Sequence, residues 1–182
     1  MKTIPDIHIE RRGFLAKLTA LFAGCVALVA PAAVGIVAFL NPHRQKSRAG
    51  AFIRVTNFDA LPEDGTPQKF PVIADRTDAW NFFPNVPVGA VYLRRAGKDR
   101  VEALQVVCPH AGCSIMVEPA RIERKFFCPC HAASFDLAGK RLDADSPSPR
   151  DMDSLETEIR NNEIWVKFQN YRTGPANKIA QG

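Results

Sequence analysis

Apolar and polar residues alternate by different rules in two parts of the chain. Residues 18–40, LTALFAGCVALVAPAAVGIVAFL, run for 23 positions without a charge. Wound as a helix at ~1.5 Å per residue they span ~34 Å, enough to cross a hydrocarbon core of ~30 Å. A membrane-spanning helix is therefore predicted over 18–40, with Pro31 as a tolerated kink. Gly24, Gly35 and the many alanines leave room for another helix to approach. A buried core helix is the competing reading, and the uninterrupted length argues against it. Beyond Gly50 the apolar runs become short and are separated by turn residues. Strands are predicted over 52–55, 70–74, 90–94, 102–107, 124–128, 156–160 and 164–168, with Asn161-Asn162 as a hairpin turn. Short, closely spaced strands and no long amphipathic helix predict a mainly β fold, an antiparallel sandwich or barrel.

Composition supports that division. Fourteen prolines and eleven glycines suit a turn-rich body. Between the two parts lies NPHRQKSRAG, residues 41–50, polar and basic, which reads as a linker. Ten residues reach ~33 Å extended and average ~17 Å as a flexible coil. The expected organisation is an N-terminal segment 1–17, the helix 18–40, the linker 41–50, a body 51–171 and a polar tail 172–182 extended over the surface.

The net charge of +5 would fit nucleic-acid binding, but its distribution does not. Residues 1–49 hold seven of the 24 Lys/Arg and two of the 19 Asp/Glu, which leaves 17 of each sign in 50–182. The body is neutral, with no basic stripe to track phosphates. The excess flanks the apolar segment, where basic residues orient and anchor membrane helices next to lipid. Upstream, Glu10-Arg11-Arg12-Gly13-Phe14-Leu15-Ala16-Lys17 resembles a twin-arginine export signal, which serves proteins exported already folded. Simple positive-inside anchoring explains the same charges. Both readings put 1–17 in the cytoplasm and the body on the outer side of a bacterial cytoplasmic membrane. Cleavage at Ala30-Pro31-Ala32 would leave AVGIVAFL exposed at the new terminus, so an uncleaved anchor is expected.

Four of the five cysteines fall within 23 residues, in two segments: Cys108-Pro109-His110-Ala111-Gly112-Cys113 and Cys128-Pro129-Cys130-His131. So tight a group implies a metal site, a disulfide, or both. Each segment follows a predicted strand, so two loops could close over a metal centre from opposite sides. Two Cys and two His would also suit structural zinc, but zinc leaves Cys113 and Cys130 without a role. His8 and His43 flank the apolar segment and read as solvated interface residues.

These segments resemble the Rieske iron–sulfur family, whose signature is C-x-H-x-x-C followed by C-x-x-H with an internal cysteine. The resemblance covers roughly residues 50–171, with the cluster-binding part at about 105–150. It implies one 2Fe–2S cluster, with one iron held by Cys108 and Cys128 and the other by His110 and His131. Neutral imidazoles in place of two thiolates raise the potential to between about −150 and +300 mV. It further implies that Cys113 and Cys130 form a disulfide tying the two loops together. Ser146-Pro147-Ser148-Pro149 stands where the family has a proline-rich loop covering the cluster.

The sequence departs from the ubiquinol-oxidising members at one place. Those carry Gly-Ser after the second histidine and a tyrosine soon after, whose hydroxyls bond cluster sulfurs. This chain has Ala132-Ala133 and Phe135, with Ser134 one position off. Losing donors to sulfur should lower the potential, which implies menaquinol over ubiquinol. The stretch from Ser148-Pro149-Arg150 to Trp165-Val166-Lys167-Phe168 resembles quinol–cytochrome c reductase Rieske subunits. The implied partners are quinol, met at His131 or His110, a cytochrome b-type subunit and a c-type cytochrome. The chain would then be an electron-transfer subunit, not catalytic alone. An alternative is the Rieske small subunit of an exported molybdenum oxidoreductase such as arsenite oxidase. A cytosolic dioxygenase ferredoxin is opposed by the membrane segment and the extra cysteine pair.

Overall fold

A computed structural model of the chain describes residues 11–40, 50–77, 81–118 and 124–181. The chain divides into two compact units, Met1–Gln45 and Lys46–Gly182. Residues 1–10, with His8, and the linker residues 41–49, with His43, lie outside the described residues.

In the first unit, α1 (Arg11–Leu40) is one 30-residue helix. Its part Gly13–Leu40 is long and apolar enough to cross a membrane. The helix starts seven residues earlier than the uncharged run, so Arg11 and Arg12 belong to its first turn. Lys17 is a good helix former, and a charge at a helix end does not stop propagation. Its large side chains, among them Leu21, Phe22, Leu28 and Phe39, are exposed within the unit.

Every strand pairing described in the second unit is antiparallel. Among the described residues it has ten strands: β1 (Phe52–Asn57), β2 (Gln68–Thr77), β3 (Phe82–Arg95), β4 (Val101–Gln105), β5 (Met116–Glu118), β6 (Lys125–Cys128), β7 (Ala133–Phe135), β8 (Ser154–Leu155), β9 (Thr157–Arg160) and β10 (Glu163–Lys167). They form three sheets, ordered β1-β10-β9, β2-β3-β4-β8 and β5-β6-β7. All seven predicted strands are present, and the β9–β10 turn falls at Asn161 and Asn162, with φ of 48° and 67°. Two successive positive values suit a type I′ hairpin turn. Three short strands, β5, β7 and β8, were not predicted. β3 also starts eight residues earlier than its predicted segment, running through Pro84 and Pro87.

The middle sheet is buried on both faces by simple alternation. Val91, Leu93 and Ala103 face one way and join Val72, Leu155, Ile164, Val166 and Phe168 in a core against the first sheet. Tyr92 and Leu104 face the other way and join Ile115, Phe126, Phe135, Met152, Cys108 and Cys128 in a second core against the third sheet. Period-two alternation thus gives β3 and β4 two partners each. Each large apolar side chain buried in either core contributes about 1.5–3 kcal/mol. Tyr92 also anchors the third sheet. Its hydroxyl donates to the Ile115 carbonyl at 3.0 Å, and its ring lies 4.9 Å from that of Phe126.

The tail does not simply extend over the surface. Tyr171 bridges Ala180, and the Arg172 N–H donates to the Ile179 carbonyl at 2.8 Å, so the tail folds back on itself.

Candidate metal centre

The two cysteine–histidine segments are the turns of two hairpins in the second unit. In the first, the Val107–Ser114 bridge closes the loop. Inside it the Cys108 N–H donates to the Cys113 carbonyl at 2.8 Å, and the Gly112 N–H to the Cys108 carbonyl at 3.0 Å. Gly112 has φ of +82°, a conformation glycine enters without steric cost. In the second, β6 and β7 pair Cys128 with Ala133, leaving Pro129-Cys130-His131-Ala132 as the turn. Ala132 takes φ of +58° there, which costs a residue with a Cβ about 1–2 kcal/mol.

The loops meet through three pairs, each taking one member from each loop. Cys113 and Cys130 are joined by a disulfide, with Cα atoms 6.6 Å apart. The His110 and His131 rings stand edge to face, centroids 4.6 Å apart. Cys108 and Cys128 are free thiols, both buried, and their side chains interact directly. Of the histidines, His131 is exposed and His110 half-buried. Burial pushes the Cys108 thiol up to about 11, opposed by the backbone N–H groups of His110 and Ala111, which point at its sulfur, and reinforced by Cys128. A thiolate there requires a compensating cation, and a coordinating metal deprotonates a thiol outright.

Sequence reasoning missed the framework beneath these loops. Arg150, only 9% exposed, makes a bidentate pair with Asp153, at 2.9 and 2.8 Å. It also donates to the carbonyls of Arg172 at 2.9 Å and Pro175 at 2.5 Å. Ser148, fully buried in the proline-rich loop, donates to the Arg150 carbonyl at 2.7 Å. A planar guanidinium suits such multiple anchoring. The one sequence signal was the close spacing of Arg150 and Asp153, which reads as an ordinary surface pair until the fold buries it.

The Rieske [2Fe–2S] domain family matches residues 54–160, more than half of the chain. The chain belongs to that family. Among similar proteins, the menaquinol:cytochrome c reductase iron–sulfur subunit of Bacillus subtilis is 26% identical over 128 residues, covering 70% of this chain and 73% of that one. The cytochrome b6-f complex iron–sulfur subunit of Nostoc punctiforme is 26% identical over 179 residues, 95% of this chain and 93% of its own. Among solved structures, the plasma membrane Rieske protein of Synechocystis is 28% identical over 64% of this chain and 99% of its own, with a TM-score of 0.45.

The donors of this Rieske domain fit the family's 2Fe–2S cluster. A single tetrahedral zinc, at ~2.3 Å from sulfur and ~2.0 Å from nitrogen, would draw all its donors within about 4 Å of one another. Among the described residues, the one group of three or more such donors gathered to within 4.8 Å of one another is Cys113, Cys128 and Cys130. Two of those three are already joined in the disulfide and offer no thiolate. What remains is a thiol pair and an imidazole pair. Two irons, each taking one pair, would use that set fully.

Proposed function

We propose that the chain is the electron-transfer iron–sulfur subunit of a membrane quinol–cytochrome c reductase, with menaquinol as the favoured donor. The observation that carries it is the pairing of two buried free thiols behind two histidines, one of them exposed, on a chain with a membrane-length helix. In this reading Cys108 and Cys128 hold one iron and His110 and His131 the other. The bound cluster supplies a one-electron acceptor. His131, the more exposed ring, accepts a hydrogen bond from the quinol hydroxyl and takes its proton. Cys108 and Cys128, packed with Phe126, Phe135 and Met152, exclude water behind the exposed imidazole edge. The disulfide keeps the two loops in register, and an oxidising compartment preserves it. That suits a head on the outer side of the bacterial cytoplasmic membrane with 1–17 in the cytoplasm.

The preference for menaquinol rests on β7. Ala133 and Phe135 are buried in the same core as Cys108 and Cys128. By period-two alternation Ser134, itself buried, projects to the face of that strand opposite Ala133 and Phe135, so its hydroxyl does not replace the missing donors. Fewer hydrogen bonds to sulfur leave the reduced state less stabilised and the potential lower. Two of the similar proteins fit the broader assignment: the Bacillus subtilis relative is named for menaquinol and cytochrome c, and that of Nostoc for the cytochrome b6-f complex.

Purification of the full-length chain from native membranes tests the assignment. A b-type cytochrome with a c-type haem should copurify, and menaquinol should reduce the preparation. A large molybdopterin subunit in their place would overturn it in favour of an exported molybdenum oxidoreductase.

A further inference from the structure

The tail beyond the family match reaches back to the first loop. The match ends at residue 160, yet the Gly174 N–H donates to the Pro109 carbonyl at 2.8 Å. That carbonyl belongs to the same peptide unit as the His110 N–H, one of the two donors to the Cys108 sulfur. The peptide plane is therefore held at both ends, by the tail on its oxygen and by the ligand sulfur on its hydrogen. Arg150 fixes the strap on either side of Gly174, through the carbonyls of Arg172 and Pro175. Lys178 adds a bond to the Ser154 carbonyl at 2.5 Å and lies 4.4 Å over the Tyr171 ring. Thr173 completes the contact, its Cγ2 lying 3.8 Å from where a Cβ on Gly112 would be.

We infer that residues 172–175 form a strap that orients the Pro109–His110 peptide toward the Cys108 sulfur, with Gly174 as its positioning residue. A carbonyl that accepts a hydrogen bond polarises its own N–H and strengthens the bond that N–H makes. Donors to a ligand sulfur stabilise the more negative, reduced cluster. The strap therefore raises the potential, partly offsetting the hydroxyls absent from β7. The inference rests on Cys108 being a cluster ligand.

Redox titration of the full-length chain, followed by the electron paramagnetic signal of the reduced cluster, tests this with two variants. Gly174→Pro removes the N–H donor and cannot adopt the native φ of +97°. A stop after Tyr171 removes the strap but leaves the Arg150–Asp153 pair and both cores. Gly174 is exposed, so the point variant should fold even if the truncated chain does not accumulate. Both variants should make the cluster about tenfold harder to reduce, a midpoint shift of about −59 mV, with an altered signal shape. A midpoint equal to that of the full-length chain, even with a lower melting temperature, would overturn the inference alone. Absence of any cluster signal in the unaltered chain would instead remove the ligand assignment on which it rests.

Discussion

The two cores that share β3 and β4 are made from different material. On one face, Val91, Leu93 and Ala103 pack into an all-apolar core of residues drawn largely from the first and middle sheets. On the other, Tyr92 and Leu104 meet a core that includes two thiols and is bordered by two loops bonded at their tips. The first face depends on many small, replaceable contributions of burial. The second depends on a few joints: the disulfide, the proposed ligands and the Arg150 network. A base of the first kind carries a rigid platform, while the second concentrates its vulnerability where the chemistry is.

Breaking the joints should therefore separate the two cores. Cys108→Ser or His131→Ala is expected to abolish the 2Fe–2S paramagnetic signal, while amides of β3 and β4 stay protected from hydrogen exchange. An intact signal in either variant would refute its ligand role. Next in size, Cys113→Ser should cost ~3 kcal/mol by freeing a loop of about 16 residues, read as a lower melting temperature under oxidising conditions. The opposite face is probed by Gly89→Ala. A Cβ there would lie 2.3 Å from the Phe168 ring, so about 1–3 kcal/mol should be lost in urea unfolding with the cluster spectrum unchanged.

Two smaller changes sharpen the contrast. Ala133→Ser with Phe135→Tyr returns hydroxyls to the face shared with the cysteines and should raise the midpoint by about 59 mV, a tenfold change. No rise in voltammetry would remove the argument for menaquinol. Ala132→Gly relieves a left-handed backbone beside His131 and should stabilise the head by about 0.5–1 kcal/mol, since the gain exceeds the added freedom of the unfolded chain.

What was legible in the sequence follows the same divide. The apolar base announced itself through short runs such as 164–168 and the Asn161-Asn162 turn, because alternation and turn chemistry are local. The ligand-type residues were legible because few folds place two cysteines and one histidine in each of two short loops. β5 and β7 were not, since three-residue strands flanking metal loops carry no periodicity of their own. The first half of β3 was hidden by Pro84 and Pro87, which read as breaks in a strand. The Arg150–Asp153 pair and the returning tail are products of tertiary packing. Nothing in the spacing of Arg150 to Gly174 shows that Arg150 holds the segment whose Gly174 bonds the first loop.

We propose that Cys108, His110, Cys128 and His131 hold a Rieske cluster made low-potential by the chain's own β7. Redox titration of the full-length protein, monitored by the signal of the reduced cluster, is the decisive experiment. A single one-electron transition in the lower half of the range from about −150 to +300 mV is predicted. A midpoint near the upper end would contradict the low-potential reading, and the absence of a cluster signal would contradict the site itself.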